Sequence, residues 1–288
     1  MTEAPSVARM RENALKVLFG RPTGVLIGVV HLLPLPGSPD FAGGVEPIYA
    51  RALADARAYA SAGFDGLIVE NHGDIPFSKP EDIGPETAAH MAVAAERIRR
   101  ELGLPIGVNV LANASIHALA VASAAGARFV RVNQWANAYV ANEGLIEGAA
   151  ARAMRYRSLL QARDVKVFAD AHVKHGAHAI VQDRPIAELV RDVEFFNADV
   201  VIFTGERTGH AADFDYLRKI WAAASLPTLV GSGVDSGNVN DILSIVDGVI
   251  VASALKVDGC WWNPVDHERA LQFVERSRCS VPAFSGAD

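Results

Sequence analysis

The sequence predicts an α/β fold, a single-domain (β/α)8 TIM barrel with an N-terminal helical extension. Three observations predict it. Eight short β-branched runs alternate with eight helix-forming, Ala-rich stretches along the chain. Most of the runs are continuously apolar, as expected for strands buried on both faces of a parallel sheet. No linker of domain size and no low-complexity stretch interrupts the alternation, which favours closure into a barrel over an open sheet.

Residues 1–20 are expected to add a helix that covers the bottom of the barrel, and 21–288 to form the barrel. The strands fall at 25–32 (VLIGVVHL), 66–70 (GLIVE), 105–111 (PIGVNVL), 129–133 (FVRVN), 166–174 (KVFADAHVK), 200–205 (VVIFTG), 227–233 (PTLVGSG) and 248–253 (GVIVAS). The helices fall at 46–62, 86–101, 115–125, 145–161, 185–196, 214–224, 238–246 and 264–276. A doubly wound alternative would carry a glycine-rich dinucleotide turn after its first strand. The chain has LLPLPGSP there instead.

The connections are unequal. Helix-to-strand joints such as AGFDG, LGLP and NAD are short, whereas the strand-to-helix joints at 31–47, 70–85, 133–144, 171–184, 204–213 and 253–263 are long. In a barrel the long joints share one rim, where loops can carry a site on a rigid scaffold. Six of the nine histidines fall there: His31, His72, His172, His175, His178 and His210.

The totals exclude several classes. The chain has 288 residues, 50% hydrophobic and 21% charged, enough for a sizeable core. A net charge of −6 gives no electrostatic footprint for nucleic acid, so no such partner is expected. A local pocket of backbone N–H groups can still take a small anion. Cys260 and Cys279 are too few for a disulfide framework or a CxxC metal site. No run has signal-peptide or membrane-span length. The expectation is a cytoplasmic protein with no integral membrane segment. A homo-oligomer is expected only by analogy with other barrels.

Candidate site residues lie at the strand ends. After the seventh strand comes VGSGVDSGN, and the eighth ends in a serine; Gly231, Ser232, Gly233 and Ser253 are candidates for holding a phosphate. The helix opening near Gly237 is expected to add unpaired N–H groups. The alternative is a plain glycine turn with a capped helix. The fifth strand ends in DAHVK, and period two places Asp170, His172 and Lys174 on one face. They suit a base, a proton shuttle and an electrophilic amine, against the alternative of a buried ion pair. Glu70 ends the second strand and is a second candidate base. Asn109 is a candidate for stabilising negative charge. His31, Asn133 and Thr204 are candidate ligand contacts. No cofactor is expected. A divalent ion among His31, Glu70, His72, Asp170 and His172 is a minority reading, because no HxH or HExxH spacing supports it. Trp261 and Trp262 either cap the rim or lid the site.

With HLLPLPGSP (31–39), VENHGD (69–74), DAHVKH (170–175), FTGERTG (203–209) and VGSGVDSGNV (230–239), the chain resembles the BtpA/SgcQ family over nearly all of 20–275. The resemblance implies a TIM barrel related to phosphate-binding barrels. It associates cyanobacterial members with photosystem I biogenesis and thylakoid membranes, and hence with peripheral membrane attachment; another branch is named from a sugar-uptake gene cluster. It transfers no catalytic residue. Two functions are therefore carried forward. The first is an enzyme acting on a small phosphorylated or sugar-like metabolite by acid–base chemistry, of isomerase, lyase or glycosyl-transfer type. The second is a non-catalytic factor for photosystem I assembly or protein stabilisation.

Overall fold

The computed structural model describes residues 12–173, 176–204 and 214–278. The strands are β1 (Val25–His31), β2 (Gly66–Glu70), β3 (Ile106–Asn109), β4 (Phe129–Val132), β5 (Ala138–Ala141), β6 (Gly144–Glu147), β7 (Lys166–His172), β8 (Val200–Phe203), β9 (Thr228–Val230) and β10 (Gly248–Val251). Eight of them close a parallel barrel in the order β1-β10-β9-β8-β7-β4-β3-β2. Closure is made by β1 on β10, from Val25↔Gly248 to Gly28↔Val251.

Strand parity sorts the side chains into two cores. Val25, Ile27 and Val29 of β1 point inward with Ile68, Phe129, Phe168, Val200, Ile202, Leu229 and Ile250. Leu26, Val30, Leu67, Val69 and Val108 point outward and pack under the helices. Continuing the inward series toward the C-terminal rim brings His31, Glu70, Arg131, Asp170, Thr204 and Gly231 into one ring. The site is thus an extension of the apolar interior by one more layer of polar side chains.

Helix α1 (Ala14–Phe19) closes the opposite end. Leu15 and Leu18 join the interior cluster, and Phe19 meets Phe129 edge to face at 5.9 Å. Residues 1–11 lie outside the described residues. Helices α2 (Glu46–Ala62), α3 (Pro85–Leu102) and α4 (Ser115–Ala125) each stop at a left-handed glycine: Gly63, Gly103 and Gly126. That cap keeps the helix-to-strand joints short. At this end an aspartate just before a strand takes the N–H of the neighbouring strand: Asp65 from Leu26, Asp199 from Val167 and Asp247 from Thr228, each at 2.8 Å.

One expected element is different. The helix predicted at 145–161 is shorter, α5 (Ala150–Leu159), and 138–147 forms the β5–β6 hairpin. The reason is tertiary: Tyr139 and Ile146 face the same way in the hairpin and bury against Val173. The remaining helices are α6 (Ile186–Phe195), α7 (Phe214–Ala223), α8 (Val239–Leu243) and α9 (His267–Arg278). No helix among the described residues is long and apolar enough to cross a membrane.

Candidate active site

A cavity of about 550 Å³ sits on the C-terminal rim, above the apolar barrel interior. Its floor includes Val29, Arg131 and Ile250, and the β5–β6 hairpin contributes Tyr139, Ala141, Asn142 and Glu143 to one side. Two chemically distinct walls stand side by side in the ring, one on β1 and β2 and the other on β10 and β9.

The first wall is titratable. Glu70 ends β2 and His31 ends β1, paired in register. His72 donates from Nδ1 to Glu70 Oε1 at 2.8 Å, and His31 Nε2 lies 3.7 Å from the same oxygen. The other oxygen, Oε2, accepts from Asn109 Nδ2 at 3.0 Å. Burial pushes the Glu70 carboxyl up, but the His72 hydrogen bond and the neighbouring His72, His31 and Arg131 outweigh it and hold the group down at about 2. Burial pushes His31 down to about 4 against the pull of Glu70. A carbonyl can only accept, so the 3.1 Å contact of His31 Nδ1 with the Trp261 carbonyl puts the proton on Nδ1. The Nε2 lone pair then faces Glu70. The Trp261 ring packs edge-on against His31 and His72, at 6.3 and 4.7 Å between centroids, so Trp261 walls the site while Trp262 stays exposed.

The second wall is built from Gly231, Ser232 and Gly233 after β9 and from Ser253 after β10. Gly231 leaves no room for a side chain: a Cβ there would lie 2.8 Å from Ile202 and 3.3 Å from Arg131. Gly233 takes a left-handed φ of 72°, a backbone conformation that favours glycine. Among the described residues, the backbone N–H groups of Gly233, Val234, Ser253 and Ala254 donate to nothing. The expected contribution of the following helix is corrected. Helix α8 has only five residues, and the N–H groups of Gly237 and Asn238 are taken by Asp235 Oδ1 at 2.7 and 3.1 Å.

On the other side of the ring, where β4 pairs with β7, Arg131 forks onto Asp170, Nε to Oδ1 at 3.2 Å and Nη2 to Oδ2 at 3.0 Å. Asn133 Nδ2 adds a third bond to Oδ2 at 3.3 Å. Burial pushes the Asp170 carboxyl up and the Arg131 charge pulls it back, while Asp170 outweighs burial at Arg131 and keeps it protonated. On balance the Asp170 carboxyl stays above its ordinary value. Asp170 does not reach the cavity; Arg131 and Asn133 do.

The structure gathers His31, Glu70, Asn133, Thr204, Gly231, Ser232, Gly233 and Ser253 around one hollow, with Asn109 and Asp170 directly behind them. The expected alignment of Asp170 with His172 is corrected. The β7–β8 register shifts between these two residues, so period two breaks there. His172 leaves the ring, stacks on His178 at 3.8 Å, and lines a separate cavity with Arg184 and Tyr216. Thr204 Oγ1 secures this bend by donating to the His172 carbonyl at 2.7 Å. Lys174, His175 and His210 lie outside the described residues. Sequence reasoning missed Arg131. Its signal was present: a charged residue at the inward parity of an otherwise apolar strand, FVRVN.

The model of the BtpA family matches residues 23–278. The chain belongs to the BtpA family. Among its relatives, an uncharacterized protein of Pyrococcus abyssi is 42% identical over 250 residues, 87% of this chain and 94% of that protein. The photosystem I biogenesis protein BtpA of Synechocystis is 38% identical over 251 residues, 87% of this chain and 86% of that protein. The barrel is also similar to solved structures. A thiamine phosphate pyrophosphorylase from Pyrococcus furiosus matches at TM-score 0.55 and 14% identity, over 90% of this chain and 97% of that one. An orotidine 5'-phosphate decarboxylase from Pyrococcus horikoshii matches at 0.54 and 13%, over 88% and 99%. At those identities the likeness establishes the barrel. The reading of this BtpA-family chain's chemistry rests on its own two walls.

Proposed function

We propose that this BtpA-family barrel is an enzyme acting on a small phosphorylated metabolite by acid–base chemistry at its C-terminal rim. The observation that carries the reading is that the two walls line one cavity. Four backbone N–H groups without a partner among the described residues, at Gly233, Val234, Ser253 and Ala254, line the same cavity as a carboxylate and two imidazoles. Loops after the last two strands are the usual phosphate cradle of a barrel, and convergent N–H groups favour an anion whatever the net charge. Phosphorylated compounds in the names of two barrels of similar fold support the same class of ligand.

In this reading the Gly231–Gly233 turn and Ser253 hold the phosphate and set the distance to the reacting carbon or oxygen. The His31–Glu70–His72 wall moves the proton. Arg131, held by Asp170, offers an Nη1 that donates to no described residue, and stabilises negative charge as it develops. Asn133 and Thr204 orient substrate hydroxyls. Isomerase, lyase and glycosyl-transfer steps all use such a set.

The test is a thermal-shift titration with inorganic phosphate and a panel of sugar phosphates, followed by turnover assays on each hit. Ligand at about 100 times its Kd adds about 2.7 kcal/mol of stability, which at roughly 2–4 °C per kcal/mol raises Tm by about 5–11 °C. Ser253→Asp places a like charge at the cradle and should abolish that shift while leaving the unliganded Tm within about 2 °C. Absence of any shift with the whole panel removes this reading. It favours the non-catalytic alternative, suggested by the name of the Synechocystis relative, of a factor in photosystem I biogenesis.

A further inference from the structure

We propose that His31, Glu70 and His72 hold a divalent first-row transition-metal ion that opens onto the cavity. One donor atom from each residue lies within 4.8 Å of the other two. A tetrahedral ion with bonds of about 2.1 Å needs ligand atoms about 3.4 Å apart. Glu70 Oε1 stands 3.7 Å from His31 Nε2 and 2.8 Å from His72 Nδ1, so the required spacing is bracketed by what is present.

The surroundings are those of held ligands. A metal-binding imidazole usually donates its other N–H to a carbonyl, and a metal-binding carboxylate is itself hydrogen-bonded. His31 donates Nδ1–H to the Trp261 carbonyl, which aims Nε2 at the site. Asn109, 1% exposed, donates to Glu70 Oε2 and leaves Oε1 for the ion. Two imidazoles with one carboxylate suit zinc- or iron-like ions and not magnesium or calcium, which take oxygen donors.

His72 is the ligand that adjusts. Its ring stacks on His31 at 4.4 Å and 16°, and parallel rings cannot both point a lone pair at one ion. Its side chain is 30% exposed on the loop after β2, so it can turn out of the stack. Its proton moves from Nδ1 to Nε2 as it does so, and the ring stays neutral. Three protein ligands leave at least one position for water or substrate, the pattern of a catalytic site. Water held there loses a proton near neutral pH. This deepens the proposed function: the acid–base group of the titratable wall is then that water. The ion's binding itself does not depend on the phosphate reading.

The test is titration of the chelator-stripped full chain with Co2+ and Zn2+, with Mg2+ and Ca2+ as hard-ion controls. The expected result is one equivalent of Co2+ with a visible absorption band, displaced by Zn2+ and untouched by Mg2+ or Ca2+. His31→Ala and Glu70→Gln should weaken binding by more than about 100-fold, and Asn109→Ala by about 10–100-fold. His72→Ala, at a partly exposed loop position, keeps the test decisive if the buried variants fail to fold; it too should lose the band. The inference is overturned if the wild type binds neither ion saturably, or if folded His72→Ala binds as the wild type does. Phosphate-induced Tm shifts on the same stripped samples separate the two readings. A phosphate shift without ion binding overturns the ion and leaves the proposed function, and ion binding without any phosphate shift does the reverse.

Discussion

Replacing Asp170 with Ala tests whether the Arg131–Asp170 pair is a support for the site. The Asp170 side chain is wholly buried and that of Arg131 is 10% exposed. Asp170 is the only described residue bonded to the guanidinium. Its removal leaves a buried cation without its partner, which costs about 3–5 kcal/mol. At roughly 2–4 °C per kcal/mol, Tm should fall by about 6–20 °C. Asp170→Asn keeps the shape and one acceptor and should fall between Ala and the wild type. The double variant Arg131→Met, Asp170→Leu removes both charges and should recover most of the loss, because a buried pair replaced by apolar groups is close to neutral. The assay is thermal and urea unfolding of these four proteins, with Arg131→Met and Asp170→Leu alone added to complete a double-mutant cycle. Asp170→Ala melting within about 2 °C of the wild type, or a double variant no more stable than Asp170→Ala, would refute the assignment.

Two further outcomes follow from the packing and the buried imidazoles. Gly28 of β1 faces the fully buried Tyr59 of α2, and a Cβ would lie 2.7 Å from its ring; Gly28→Ala should cost about 1–3 kcal/mol by overpacking, relieved by adding Tyr59→Leu, and an unchanged Tm would contradict it. Burial, with His178 adding to it, pushes His172 down to about 4 from an ordinary 6.5. The unfolded chain therefore takes up this proton first as pH falls, so stability attributable to neutral His172 is full above pH 6.5 and lost as pH approaches 4. His172→Gln should flatten the fall in urea-unfolding free energy over that window, with His31, also near 4, keeping part of the slope; parallel curves for variant and wild type would rule this out.

The barrel was legible because its cause is local and repeated. Continuous β-branched runs such as VLIGVVH can be buried on both faces only in a covered parallel sheet, and the short joints AGFDG and LGLP marked where helices give way to strands. Position at a strand end also marked His31, Glu70 and Asn109 as candidates. The hairpin at 138–147 was not legible, since Tyr139 and Ile146 prefer it only once Val173 is there to be packed against. His172 was misaligned with Asp170 for the same kind of reason: a register shift against β8 is a property of two strands, invisible in either one.

By itself, then, the order of residues determined the ring of strands, the rim that carries the long loops and the glycine-serine turn after β9, all consequences of period, burial and turn chemistry within a few neighbours. Only tertiary structure decided that Asp170 locks Arg131, that His72 bonds the carboxylate of Glu70, and that the Trp261 carbonyl sets the tautomer of His31 from 230 residues away. Those pairings depend on closure of the barrel, which brings distant strand ends to within hydrogen-bond reach.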